Sequence, residues 1–533
     1  DITDYNEIQH IHSIREPFKT MRWQAGPMLA VPKGGGEIID VFNPADGDDL
    51  VGRVTQSSEA DIESAIQQAV GAVADWSKNP PEQRAACLRK LADLYEANAI
   101  ELFALAAREA GKTWLDVVGE VREAVDFALF YANESERVGN LGEARGVIAC
   151  ISPWNFPLAI FSGQILAAIA AGNAVIAKPA EQTSLIAARA VSLMYEAGIP
   201  QAVVQLLPGR GAVVGAALTS DARIDGVCFT GSTPTALHIN RNMAEHLAPD
   251  ALLIAETGGL NAMIVDSTAL PEQVVRDVLA SSFQSAGQRC SALRMLYIQN
   301  DVADRVLEML FGAMDELTVA NPWVLNTDIG PVIDLAAKQK IEKYCRSMAD
   351  KGRLIKRIEA PGHGFFVDPC VIRLNGIEDL AEEIFGPVLH IATFGADEID
   401  QVVGSINARG YGLTFGIHTR VDARVEQIIK RIKAGNIYVN RNQIGAVVGS
   451  QPFGGEGLSG TGPKAGGSRY LQSFRKQAQA GLAGESTTVV GAPELQRLID
   501  AASHAPFLKP DHRAEAISKL FETLGLSLKP DAL

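Results

Sequence analysis

From residue 59 to 132 apolar positions recur at helical spacing between charged ones, which predicts three or four amphipathic helices. Ser58-Glu59-Ala60-Asp61 opens the first with a capping-box-like start, and Asn43-Pro44-Ala45-Asp46-Gly47 ahead of it marks a turn. Between about 145 and 258 the period changes repeatedly. Buried strands are expected at 146–152, 174–177, 203–207, 226–229 and 252–255, with helices at 159–171, 184–197, 212–218 and 234–246. Strand and helix alternating across short Gly/Pro loops predict a parallel sheet flanked by helices. Such sheets bind ligands at the carboxyl ends of their strands. Here those ends carry Trp154-Asn155, Lys178-Pro-Ala-Glu181, Pro208-Gly-Arg-Gly211, Thr230-Gly-Ser-Thr233 and Glu256-Thr-Gly-Gly259.

A second alternating region follows from 260 to about 457, with helices expected near 271–284, 301–316, 334–350 and 422–433. Residues 1–25 carry no clear pattern and read as an N-terminal extension. After Phe474 the chain is rich in Ala, Gly, Ser and Thr, and from Glu494 it shows helical spacing twice, split by Pro506 and Pro510. The run 158–177 is apolar and about long enough to span a bilayer. Because it contains Ser162, Gly163, Gln164, Gly172 and Asn173, a buried helix, a turn and a buried strand explain it better than membrane insertion.

Composition sets limits on the chemistry. The 533 residues, 47% hydrophobic and 21% charged, suffice for two or three globular domains. A net charge of −15 argues against nucleic acid as a partner, so an anionic ligand must be met by local donors. The six cysteines (Cys87, Cys150, Cys228, Cys290, Cys345, Cys370) are scattered, with no CxxC pair and no cysteine–histidine metal spacing. A reducing, cytoplasmic setting and no bound metal are expected. No cationic, apolar leader opens the chain, and its first residue, Asp1, suits one module of a longer polypeptide.

The most suggestive cysteine is Cys290, in Ser285-Ala-Gly-Gln-Arg-Cys290-Ser291, between a helical pattern and a strand-like run at 293–299. A loop there can hold a thiol at the mouth of a pocket. Taken alone such a cysteine is more often buried and inert. Glu256 by itself reads equally as a solvated or capping carboxylate, and Gly209-Arg-Gly211 as a glycine turn, since it is not a GxGxxG fingerprint.

As a set, Pro153-Trp-Asn-Phe-Pro157, Lys178-Pro-Ala-Glu-Gln-Thr183, Phe229-Thr-Gly-Ser232, Glu256-Thr-Gly-Gly259, Gly287-Gln-Arg-Cys290, Glu383-Ile-Phe-Gly-Pro387 and Pro452-Phe-Gly-Gly455 resemble the aldehyde dehydrogenase superfamily from about Val41 to Gln477. More narrowly, Ile151 to Phe161 followed by the Lys178 motif resembles the L-glutamate γ-semialdehyde (pyrroline-5-carboxylate) dehydrogenase module of the bifunctional proline utilization A family. The resemblance implies an α/β fold: a Rossmann-like NAD-binding domain plus a second α/β catalytic domain. The expected division is 1–25, an extension; 26–258, a helical region and the NAD-binding domain; 259–457, the catalytic domain; 458–490, a returning segment used in oligomerisation; and 491–533, a tail of unassigned role.

It further implies Cys290 as nucleophile, Asn155 and the Cys290 backbone N–H as oxyanion donors, and Glu256 as the base that activates water. NAD is implied as cofactor, favoured over NADP because the Glu181 carboxylate beside Lys178 would accept from a free ribose 2′-OH and repel a phosphate. Ile151, Pro153, Trp154, Gly211, Gly215, Phe229, Thr230, Gly231, Ser232, Glu256, Gly258, Glu383 and Phe385 complete the implied cofactor site. Ser291, Gly445 and Ala446 resemble an anchor for the substrate carboxylate, with Phe453 and Phe156 lining the stem. Glu120 and Glu123 share a helix and are candidates to face the substrate amine, at least one of them being otherwise simply solvated. A homo-oligomer and a proline-oxidising flavin module on the same longer polypeptide are implied as partners. There is little room between Tyr131 and Arg145 for the long hairpin with which many family members pair subunits. Other readings remain open: oxidation of another small carboxylated aldehyde such as succinate semialdehyde, acyl transfer to coenzyme A, or a catalytically silent assembly module.

Overall fold

The computed structural model describes residues 4–139 and 142–476. The helical pattern after Ser58 forms four helices, Glu59–Lys78, Pro81–Ala97, Ala99–Ala110 and Trp114–Val138. The first starts as its sequence dictates. Asp61 N–H donates to Ser58 Oγ at 3.2 Å and Ser58 N–H to Asp61 Oδ2 at 3.0 Å, so two otherwise unpaired donors are satisfied reciprocally. The turn at Asn43 joins two antiparallel strands, Ile38–Asn43 and Asp46–Thr55.

Two sheets follow. The first has the spatial order Val204–Leu206, Ala174–Lys178, Val147–Ile151, Gly226–Gly231, Leu252–Thr257, every pair parallel. This is the strand order of half a dinucleotide-binding sheet, with its reversal beside the strand Val147–Ile151. The second runs Leu354–Arg357, Cys370–Arg373, Val388–Phe394, Met295–Gln299, Ala262–Val265, Thr414–His418, Asn436–Val439 and is parallel except at its first pair. Between the last strand of one sheet and the first of the other lie only Gly258 to Asn261.

The apolar run 158–177 is the helix Ala159–Ala170, a turn at Gly172 (φ 96°) and the strand Ala174–Lys178. Its buried helix survives because neighbours satisfy its ends. Glu120 Oε2 accepts from Leu158 and Ala159 N–H at 3.2 and 2.8 Å; Trp76 Nε1 donates to Ile169 O at 2.9 Å, and Arg84 and Ser135 donate to Ala170 O at 3.1 and 3.0 Å. Among the described residues no helix is long and apolar enough to cross a membrane.

Three expectations differ from the structure. The patternless N-terminus holds a helix, Tyr5–Arg15, capped by Asp4. Its anchor is Arg15, 3% exposed, whose guanidinium lies 5.4 and 5.1 Å from the Trp114 and Trp323 rings and donates to Trp323 O at 2.7 Å. A cation held by distant aromatics leaves no local periodicity. The helix expected over 422–433 stops at Ile429; the turn beyond it is held by Asn407, which donates to Arg431 O at 2.8 Å and accepts from Lys433 N–H at 2.9 Å. The short helix at 212–218 begins as a wider π turn, Gly211–Gly215, before the α turn Ala216–Thr219. The patterns noted after Glu494 lie outside the described residues.

Candidate active site

The helix Pro271–Phe283 ends in the turn Gln284–Gly287, where Ser285 (φ 55°), Ala286 (φ 53°) and Gly287 (φ 66°) are all left-handed. Two non-glycine residues in that region are costly and persist only where surroundings over-determine them. A Cβ on Gly287 would lie 2.1 Å from Gly386 O, so glycine alone fits. Beyond the turn, side chains fix the backbone carbonyls. Asn261 Nδ2 donates to Cys290 O at 2.6 Å and Ala292 O at 3.0 Å. The fully buried Arg294 donates to Gly287 O at 2.7 Å and Arg289 O at 3.0 Å, and its guanidinium meets Glu383 Oε1 at 2.9 Å. Cys290 is thus a partly accessible thiol on an immobilised loop.

Asn155 sits at the end of the strand Val147–Ile151, its Nδ2 donating to Gln288 O at 3.0 Å. One amide hydrogen is used there and the second remains. Glu256 ends in a glycine-lined slot: its Oε2 accepts from Gly455 N–H at 2.8 Å, a Cβ on Gly460 would come within 2.7 Å of it, and its Oε1 has no hydrogen-bond partner. Burial pushes this carboxyl up to about 8, against the opposing pull of the Gly455 and Gly462 N–H groups and Lys464. Burial also pushes the Cys290 thiol up to about 12, with Glu383 and Glu256 adding to the rise. Glu383 is raised by burial and partly restrained by Arg294. The Phe385 ring meets Trp154 edge-on at 5.6 Å and lies 5.1 Å from the Arg294 guanidinium.

A cavity of about 450 Å³ brings Cys290, Glu256, Thr230, Phe156, Ser291, Gly445, Ala446 and Phe453 together in one wall set, with Glu120 and Glu123 on the helix side. Neither glutamate is simply solvated. Glu120 is 2% exposed and pairs with the equally buried Lys112 at 3.1 Å while capping the helix Ala159–Ala170. Its carboxylate is therefore committed. Glu123 is half-buried, and burial, then Glu120, push its carboxyl up to about 7. The Phe156 ring is flanked by Lys112 Nζ at 4.7 Å and the Arg289 guanidinium at 5.4 Å.

The remaining predicted residues gather at the carboxyl ends of the five-stranded sheet. Lys178 is buried, donates to Pro179 O at 3.0 Å, and is lowered to about 8 by burial, with Glu181 opposing. Glu181 is exposed, and its Oε1 accepts from Gly211 N–H at 2.8 Å. A Cβ on Gly215 would meet nothing within 4 Å. Ser232 caps the helix Thr233–His246, accepting from Thr235 N–H at 3.3 Å, so the helix presents its N-terminal end there. The Phe229 ring covers Gly231, where a Cβ would come within 2.5 Å of it, and Ile151, Pro153 and Phe229 are buried. A Cβ on Gly258 would lie 1.9 Å from Glu383 Oε2, which puts that carboxylate against the turn after Glu256. A helix N-terminus, an exposed carboxylate and glycines gathered at these strand ends fit a dinucleotide.

Several residues of the site went unassigned in the sequence: Lys112, Asp116, Asn261, Arg289 and Arg294. Arg289 pairs with the buried Asp116 at 2.8 Å; burial works to raise that carboxyl, but Arg289 and Lys112 hold it below the ordinary range. The usable signal was the two arginines, Arg289 and Arg294, on either side of the cysteine just before a strand-like apolar run, since a buried cation demands partners.

Residues 31–479 match the model of the aldehyde dehydrogenase family. The chain is 54% identical over 463 residues to the bifunctional protein PutA of Klebsiella aerogenes, covering 84% of this chain and 35% of that protein. It is 38% identical over 496 residues to the 1-pyrroline-5-carboxylate dehydrogenase of Bacillus cereus (strain B4264), covering 88% of this chain and 96% of that one. A crystal structure of a mutant Bradyrhizobium japonicum Proline Utilization A (PutA) superposes with a TM-score of 0.78 at 48% identity, covering 79% of this chain and 45% of that one. The chain therefore spans about a third of the bifunctional relative's length.

Proposed function

The chain belongs to the aldehyde dehydrogenase family, and we propose that it oxidises L-glutamate γ-semialdehyde, the hydrolysis product of pyrroline-5-carboxylate, to L-glutamate with NAD. The observation that carries this reading is the single cavity in which Cys290 and Glu256 share walls with Ser291, Gly445, Ala446 and Phe453. Chemistry and a carboxylate-binding end are then in reach of one short substrate.

The Cys290 sulfur adds to the aldehyde carbon, and the oxygen that becomes an oxyanion is met by the second Asn155 amide hydrogen and the Cys290 N–H. The Asn155 amide is held by Gln288 O, and the peptide that carries the Cys290 N–H is held by Arg294 through Arg289 O, so neither donor need reorganise as charge develops. Lys178, Glu181, Gly211, Gly215, Ser232, Glu383 and Phe385 would hold the cofactor. NAD bound there supplies the hydride acceptor. Glu256, once ionised, takes a proton from the water that attacks the resulting Cys290 thioester. Ser291 and the Gly445-Ala446 backbone hold the substrate carboxylate, and Phe453 and Phe156 pack on its stem. Glu123 rather than Glu120 is left to receive the substrate ammonium, since Glu120 is tied to Lys112 and two backbone N–H groups. The water-activating carboxyl disfavours transfer to coenzyme A.

Residues 26–258 then act as the cofactor half and 259–457 as the catalytic half, in a cytoplasmic protein that pairs with further copies. A proline-oxidising flavin module on the same polypeptide would supply the substrate. The test is NADH formation by the purified chain with glutamate semialdehyde, beside succinate semialdehyde, propanal and Cys290→Ala. Preferred turnover of glutamate semialdehyde that vanishes in the variant is expected. Equal turnover of propanal would overturn the carboxylate anchor, and turnover surviving in Cys290→Ala would overturn the nucleophile.

A further inference from the structure

Two cysteines outside the cavity stand close enough to react with each other. Cys345 lies on the helix Leu335–Asp350 and Cys370 opens the strand Cys370–Arg373; their sulfurs are 3.6 Å apart. Cys345 is half-buried and reachable from solvent, whereas Cys370 is 1% exposed behind it. That is the arrangement of an attacking and a resolving thiol. Bonding distance is about 2.05 Å, so the sulfurs must close by roughly 1.5 Å. The helix can supply this movement, because Ile341 is its one fully buried residue, while Cys370 is locked in the sheet.

We propose that Cys345 and Cys370 form a dithiol that a hydroperoxide converts to an intramolecular disulfide, and that this closure weakens the grip on Glu383. The Cys345 thiolate attacks the peroxide, forming an S–O bond as the O–O bond breaks, and the departing alkoxide or hydroxide is protonated by solvent. Sulfur is oxidised to a sulfenic acid and the peroxide is reduced to an alcohol or water. Cys370 sulfur then attacks Cys345 sulfur; the S–S bond forms, the S–O bond breaks, and hydroxide leaves with the Cys370 proton as water. Of the six thiols, Cys345 alone is held below its ordinary range, chiefly by the hydrogen bond from Cys370, and the others are raised. A resolving thiol within 3.6 Å is what lets oxidation at Cys345 close to a disulfide.

The route to Glu383 runs through the same helix. Ile341 packs on Gly386, where a Cβ would lie 2.5 Å from its Cδ1. Lys340 pairs with Glu382 at 2.7 Å. Tyr344, next to Cys345, bonds His390 Nε2 at 2.9 Å, and His390 Nδ1 lies 2.8 Å from the carbonyl of Arg294, whose guanidinium holds Glu383. One contact of the helix thus falls within the Glu383–Pro387 loop, at Gly386, and two bracket it, at Glu382 and at His390; pulling the helix towards the strand strains all three.

The effect on cofactor rests on the function proposed above; the chemistry of the pair does not. The full chain is treated with hydrogen peroxide, alkylated without reduction and mapped by peptide mass spectrometry, and its KM for NAD is measured before and after dithiothreitol. Expected are a linked Cys345–Cys370 peptide that dithiothreitol releases, and a sulfenic acid trapped by dimedone at Cys345 in Cys370→Ser. The KM for NAD should rise by about three- to tenfold, the size of one weakened hydrogen bond at Glu383, and the rise should be absent in Cys345→Ala. Cys345 and Cys370 remaining alkylatable while other cysteines oxidise would overturn the dithiol. A linked pair with unchanged KM would overturn the coupling. A reduced protein without dehydrogenase activity would instead count against the proposed function, leaving the peptide map valid.

Discussion

The buried carboxyl of Glu256, with its Oε1 unpartnered, gives the sharpest handle on the chemistry. With its pKa pushed up to about 8, the group is mostly neutral at neutral pH and cannot then accept a proton. One unit below the pKa roughly a tenth is ionised, and one unit above it roughly nine-tenths, so kcat limited by deacylation should rise about tenfold from pH 7 to pH 9 and then level off. Cys290, pushed up to about 12, should keep raising kcat/KM beyond that plateau, because the two parameters report different steps. In Glu256→Gln the amide keeps the shape of the slot but cannot take the proton, so turnover should fall by about 10²–10⁴. The first hydride transfer does not need Glu256. Rapid-mixing measurements should therefore show one NADH per site formed at near-normal rate, followed by a slow steady state, with the acyl group trapped on Cys290. A flat kcat profile between pH 6.5 and 9 would refute the assignment of a raised pKa to the base. Loss of the burst together with the steady state would show that Glu256 acts on Cys290 rather than on water.

Two further outcomes follow from buried geometry. Glu120→Ala removes the carboxylate paired with the buried Lys112, leaving that cation its Asn155 O contact, and uncaps Leu158 and Ala159, so urea unfolding should show a loss of about 3–5 kcal/mol; a change near zero would mean the pair is not formed. Gly287→Ala combines a left-handed φ of 66° with a Cβ 2.1 Å from Gly386 O, and should abolish the NADH burst while the far-ultraviolet circular dichroism stays native; wild-type burst rates would refute the close approach.

Much of this architecture was legible because the determinants are local. In the strand Val147–Ile151 every side chain is buried, and a strand covered on both faces must be apolar throughout. Ser58 and Asp61 satisfy each other within one turn, and Gly172 takes a positive φ beside its own helix. The same locality placed the chemical groups, since strand ends in a parallel sheet are where ligands bind and the motifs fall on them. Cys290, Glu256 and the Gly445-Ala446 backbone, far apart in the chain, accordingly meet around one cavity.

Other features depend on partners that sequence proximity does not encode. Arg15 looks like any surface cation until Trp114 and Trp323 close on it, and the turn after the helix that ends at Ile429 is held by the distant Asn407. Glu120 and Glu123 share a helix face and both line the cavity, yet Glu120 is spent on Lys112 and a helix N-terminus. The approach of Cys345 to Cys370 is likewise a product of packing between a helix and a sheet. The alternating elements and the parallel class could be read from the chain alone, because backbone period is carried residue by residue. Protonation, commitment and reach had to wait for the folded chain, because burial and opposing charge are properties of surroundings assembled from the whole fold.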